Sequence, residues 1–168
     1  MPVLATLDVR LLRDRDVALI RAFDAPRRLV FAAHTKPNLV RRWLLGPPGW
    51  TMPTCEIDLW VGGCIRYVWR GPNGETMGMS GVFREVVPPE RLVHTELFDE
   101  DWQGGGVETT TVFIEAAGKT TVTMTMRFAS GEARDAALAT GMARGMGQSY
   151  DRLAEILAEI SEPKGTAT

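Results

Sequence analysis

The sequence predicts an α+β domain in which a curved antiparallel sheet of about six to seven strands wraps around a long C-terminal helix. Three observations carry this. Between Thr54 and Phe128, short alternating apolar runs are separated by glycine- or proline-rich turns. Gly81–Leu92 (Gly-Val-Phe-Arg-Glu-Val-Val-Pro-Pro-Glu-Arg-Leu) is such a run, stopped by two prolines that cannot donate ladder hydrogen bonds, and a second run follows at once. After Ser130 the spacing changes to that of a helix and stays so to about Ile160.

Met1–Asp16 is a short extra strand or a lead-in. Val17–Phe23 is a strand with Val17, Leu19 and Arg21 on one face. Asp24 is the expected N-cap of a helix over Ala25–His34, with Pro26 in its first turn. Thr35 is the expected cap of a second short helix carrying Leu39, Val40 and Trp43. Gly46-Pro47-Pro48-Gly49 ends it. Strands are then expected at Thr54–Leu59, Ile65–Arg70, Met77–Val87, Leu92–Phe98, Glu108–Glu115 and Lys119–Phe128. Asn73-Gly74 is a hairpin signal because both residues tolerate positive φ. In the last strand Val122, Met124, Met126 and Phe128 face the core. A turn at Ala117-Gly118 then sets Phe113 opposite Val122 and Thr111 opposite Met124, whereas a one-residue slip would bring Val112 and Ile114 inside. Gly141, Gly145 and Gly147 weaken the final helix and point to close packing, a bend or a cavity wall.

The length of 168 residues suits one domain over residues 17–160, with 1–16 as lead-in and 161–168 as a disordered tail. A net charge of -2 gives no argument for nucleic acid or an anionic membrane as partner. No segment reads as a signal peptide or a membrane span, so a cytoplasmic location is expected. Cys55 and Cys64 are expected as free buried thiols. With His34 and His94 they are too few and too dispersed for zinc, and no cofactor is expected.

Candidate functional residues fall into two sets. Trp43, Tyr67, Trp69, Phe113, Met124, Met126, Met142 and Met146 would converge from strands and helices. They form either ordinary core or the soft, adaptable wall of a ligand cavity, with Trp43 as a candidate for its mouth and Tyr67 as a polar handle. His94 and Glu96 share one strand face; a surface pair is the expected reading, and an acid–base pair the reading if that face is inward. Asp58 is expected to stabilise its turn through its side chain. No Ser/His/Asp, Cys/His or clustered-carboxylate constellation demands catalysis.

Several segments together resemble the START/Bet v-like (SRPBCC) superfamily, in the branch named for the activator of heat-shock-protein ATPase. They are Phe23-Asp24-Ala25-Pro26, Arg42-Trp43 before the Gly-Pro loop, Asp58 with Gly62-Gly63, Gly81–Leu92, and the helix from Gly141 through Gly145-Met146-Gly147-Gln148-Ser149 to Leu153. The likeness runs from Val17 to Ile160, with one departure: Met146 stands where an aromatic is frequent. It implies a helix-grip fold with a hydrophobic cavity between sheet and long helix, and so favours the cavity reading of the first set. The function expected is binding of a small hydrophobic or amphipathic molecule. The alternatives are a cyclase- or hydrolase-like enzyme using the same cavity through His94, Glu96 and Tyr67, and, ranked last, a co-chaperone-like interaction module. A homodimer through a sheet edge or helix face is also plausible.

Overall fold

The computed structural model describes residues 6–161, so the expectation for the tail falls, beyond Ser161, outside the described residues. The elements are β1 (Asp8–Leu12), β2 (Asp16–Phe23), α1 (Arg27–Thr35), α2 (Pro37–Trp43), β3 (Thr51–Ile57), β4 (Cys64–Arg70), β5 (Thr76–Val87), β6 (Arg91–Phe98), β7 (Val107–Ala116), β8 (Lys119–Arg127), α3 (Gly131–Ala139) and α4 (Met142–Ser161). One antiparallel sheet holds eight strands in the order β1-β2-β8-β7-β6-β5-β4-β3. This is the expected α+β helix-grip arrangement, with β1 as an additional strand.

Each neighbour pair except β2–β8 is consecutive in sequence. The β2–β8 ladder therefore brings the first and last parts of the sheet together, with Val17 opposite Met126 and Leu19 opposite Met124. The β7–β8 register sets Phe113 opposite Val122 and Thr111 opposite Met124, so the alternation of β8 decides which residues enter the core. At one border β3 pairs irregularly between Thr51 and Thr54, around Pro53. At the other, β1 is exposed along its five residues and Arg10 is bonded to Asp8 at 2.9 Å.

Two expected helix caps are corrected. α1 starts at Arg27 after Pro26, with no side-chain cap; the Arg27 N–H donates instead to the Glu115 carboxylate at 2.9 Å, so β7 does the work assigned to Asp24. The boundary of α2 is Lys36, and the Thr35 hydroxyl turns back to donate to the Phe31 carbonyl at 2.9 Å. Ser130 does cap α3, accepting from the Ala133 N–H. The turn after β3 is closed by backbone bonds, Asp58 N–H to Cys64 O and Trp60 N–H to Asp58 O, so its hydrogen bonds run through the Asp58 backbone rather than its side chain.

The single long C-terminal helix is also corrected: it is two helices. Thr140 and Gly141 close α3 with bonds to Ala137 O and Leu138 O, and Gly141 takes φ +88, a conformation a side chain would resist. α4 then starts at Met142. The core follows this division. One apolar cluster gathers Val17, Leu19, Met126 and Phe128 beneath α3; a larger one joins α1, α2 and α4 to residues of β2 through β8.

Arg21 is on the inner face of β2, and its guanidinium donates to Asp151 of α4 at 2.8 Å. The Arg21 side chain is 5% exposed, so the pair ties α4 to the sheet from beneath. Removing one partner strands a buried charge, whereas replacing both with apolar groups need not. Asp151→Ala is expected to lower the urea unfolding free energy by about 2 kcal/mol, and Arg21→Met added to it to restore most of the loss. Equal destabilisation by the single and double variants would contradict this role.

Candidate functional site

Between the concave face of the sheet and the helices lies a cavity of about 530 Å³. Period-two alternation builds its floor. β4 supplies Ile65, Tyr67 and Trp69; β5 Met77, Met79 and Phe83; β6 Leu92, His94, Glu96 and Phe98; and β8 Met124 and Met126. The roof comes from His34 of α1, Trp43 of α2, and Met142, Gly145, Met146, Ser149 and Tyr150 of α4. The helix break itself, Thr140-Gly141, is part of the wall.

The loop Leu44–Pro47 also borders the cavity and is firmly held. Trp69 Nε1 donates to Leu44 O at 2.7 Å, the Gly46 N–H donates to the Ser149 hydroxyl at 2.9 Å, and Arg152 donates to Gly46 O at 2.7 Å. Gly145 of α4 faces this loop, and a Cβ there would meet Gly46 and Pro47 at 3.9 Å, an ordinary contact distance.

Seven of the eight expected wall residues line this cavity: Trp43, Tyr67, Trp69, Met124, Met126, Met142 and Met146. Phe113 does not. It is 1% exposed, packed against Phe31 at 5.3 Å and edge-on to His34 at 5.0 Å, so His34 takes the wall position. Trp43 is in the wall rather than at a mouth: its ring stacks on Tyr150 and its Nε1 donates to Ala33 O at 2.8 Å. Cys55 is buried, which pushes its thiol up to about 11, but Cys64 is exposed, at the end of β4.

The surface reading of His94 and Glu96 is also corrected. Both line the cavity, with side chains 16% and 14% exposed. His94 Nε2 is 3.1 Å from Glu96 Oε2, which also accepts from the Thr109 hydroxyl at 3.2 Å. A Nε2–H tautomer satisfies this contact and leaves Nδ1 as a free lone pair. The sequence could not choose between the two faces of β6, because both read as mixed polar and apolar.

Sequence reasoning missed His34, Trp50, Phe83, Phe98, Trp102, Gln103 and Tyr150 in the wall. Tyr150 had a signal: it continues the four-residue spacing of Met142 and Met146. Trp102 and Gln103 had none, since they come from an irregular loop. Among the described residues, every buried side-chain polar atom without a protein partner, except Arg21 Nε, belongs to this wall. These are His34 Nε2, His94 Nδ1, Trp102 Nε1, Gln103 Oε1 and the Tyr150 hydroxyl. Buried polar groups are normally paired, so this apolar chamber is set apart by the donors and acceptors it leaves open. Burial holds the Tyr67 and Tyr150 hydroxyls far above the usual tyrosine range, so both remain protonated donors.

His34 Nδ1 donates to Val30 O at 2.8 Å, and burial lowers its pKa to about 4. The folded protein thus holds His34 neutral where the unfolded chain, near 6.5, takes up a proton. This contribution to stability is present above about pH 6.5 and is lost as pH falls toward 4, by roughly 3 kcal/mol in all. Urea titrations at pH 7 and pH 4.5 are expected to show a smaller drop for His34→Asn than for the wild type, even if the variant starts less stable. An equal drop would remove His34 as the cause.

Among the described residues no group of three or more His, Cys, Asp or Glu side chains could hold a metal ion, and no helix is long and apolar enough to cross a membrane. Residues 24–158 match the family model described as Activator of Hsp90 ATPase homolog 1-like protein. A crystal structure of a Rhodobacter sphaeroides protein is 36% identical, with a TM-score of 0.87, covering 92% of this chain and 99% of that one. A Nitrosomonas europaea protein is 26% identical, TM-score 0.79, covering 88% and 96%. An AHSA1-like protein from Aeromonas hydrophila is 19% identical and, with a TM-score of 0.71 over 91% and 99%, shares the fold. No curated protein matches the chain.

Proposed function

Because the chain belongs to the family of Activator of Hsp90 ATPase homolog 1-like proteins, whose match spans residues 24–158, we propose that it binds a small amphipathic molecule in the cavity between sheet and helices. The observation that carries this reading is the wall itself: about 530 Å³ lined by aromatic and methionine side chains, with the unpaired polar atoms gathered in it. Volume and lining are those of a small-molecule site. Methionine, unbranched and polarisable, lets such a wall adapt to its occupant. Four methionines meet here from β8 and α4: Met124, Met126, Met142 and Met146.

A second reading, an enzyme of cyclase or hydrolase type, has one specific observation in its favour. The imidazole of His94 is oriented by Glu96 inside the same cavity, as a general base must be. Tyr67 and Tyr150 supply protonated hydroxyls to the same space. Binding precedes any such chemistry, so the first reading is tested first.

Native mass spectrometry of the purified protein is expected to show a non-covalent excess mass that disappears on denaturation. Met142→Trp and Met146→Trp fill the cavity and are expected to abolish the excess mass. They should also weaken any ligand so identified by at least about tenfold, since a filled pocket forfeits most of its contacts. Unchanged affinity in both variants would sink the cavity assignment.

A further inference from the structure

We infer that the molecule taken up by this cavity carries a positively charged nitrogen, a primary ammonium or its close analogue, on an apolar body. The inference rests on the proposed binding role and specifies the charge class of the ligand.

The first ground is the charge inventory of the wall. Among the described residues lining the cavity there is one carboxylate, Glu96, and no lysine or arginine. Two arginines that bond to α4 or to the cavity-bordering loop are already engaged. Arg21 is bonded to Asp151, and Arg152 to the carbonyls of Trp43 and Gly46. An anionic ligand would find no countercharge and would meet Glu96, a like charge in a low-dielectric space.

The second ground is the hydrogen-bonding character around Glu96. In the Nε2–H tautomer, which the contact with the carboxylate favours, His94 donates to Glu96 and keeps Nδ1 as an acceptor. Gln103, 2% exposed, contributes an unpaired Oε1 to the same cavity. Carboxylate, imidazole nitrogen and amide oxygen all accept, and all come from β6 or the loop that follows it, beside the unpaired Trp102 Nε1–H donor of that loop. A primary ammonium offers three donors and no acceptor.

The third ground is the aromatic wall beside Glu96. Phe98 is two residues further on the same face of β6, stacked on Trp69 at 6.0 Å and tilted against Trp102 at 4.8 Å. The faces of such rings carry negative potential and attract cations, most strongly when water is excluded. One carboxylate with a cluster of ring faces is the chemistry that holds an organic cation.

Isothermal titration of the full-length protein with decylammonium, decanol and decanoate, all below their aggregation concentrations, tests this. The ammonium is expected to bind about tenfold or more tightly than the carboxylate, with the alcohol between. Glu96→Gln is expected to erase the preference, and Gln103→Leu to weaken the ammonium several-fold more than it weakens decanol. The wild-type ranking and the Gln103 variant decide the matter even if the Glu96 variant fails to fold. Decanoate binding as tightly as decylammonium, or an ammonium preference that survives Glu96→Gln, overturns the charge assignment alone. If none of the three probes binds, or if all bind equally well to Met142→Trp, the cavity reading falls and this inference with it.

Discussion

The ladder between β2 and β8 is the constraint on which the molecule depends. It is the sole sheet pairing among the described residues that joins non-consecutive strands, bringing Val17–Phe23 beside residues about a hundred positions later. Without it the two short helices that follow β2 and the two that follow β8 would have no reason to share a face of the sheet. With it, α1, α2 and α4 come together over the same concave surface, and the chamber is what they do not fill. Arg21 makes the arrangement specific. It is the charged member of an otherwise apolar inner row, and it reaches Asp151 on α4. A loss of loop entropy offsets much of what such long-range contacts gain, so the ladder must be extensive: eight paired positions.

The glycines of the C-terminal region fit this plan. Gly141 ends one helix just before the next begins, and it does so in the chamber wall. Gly145 then faces the Gly46-Pro47 loop across an ordinary contact distance. That loop is tied down from two sides, by Trp69 below and by Ser149 and Arg152 above. The same helix therefore supplies the roof, fixes the neighbouring loop, and places Met142, Met146 and Tyr150 on one stripe.

Much of this was legible in the sequence, for physical reasons. Alternation in Thr121–Phe128 leaves one face able to meet the core, and the turn at Ala117-Gly118 pins its register, so Phe113, Thr111, Val122 and Met124 fell where patterning put them. The wall was mostly legible for the same reason, through Tyr67, Trp69 and the four methionines. The failures are equally physical. Asp24 and Thr35 have the chemistry of caps, but Glu115 and the Phe31 carbonyl offered competing partners from outside the local sequence. Three glycines announced a weakened helix, yet a bend and a full break look alike in one dimension. His34 and Phe113 compete for one position in the wall, and only packing decides that His34 stands in front. The inward face of β6 was hidden because His94 and Glu96 are residues that ordinarily seek water; here they satisfy each other and Thr109.

Pro53, in the irregular stretch of β3, bears on how copies of this molecule meet one another. A bare strand edge is a template on which another chain can add, and a proline in that row withdraws a donor while an irregular register spoils the spacing. The opposite border is short and carries the Asp8–Arg10 pair. Both ends of the open sheet are thus poor starting points for sheet extension. Protection of an open eight-stranded sheet falls to the detail of its two border strands and not to closure into a barrel.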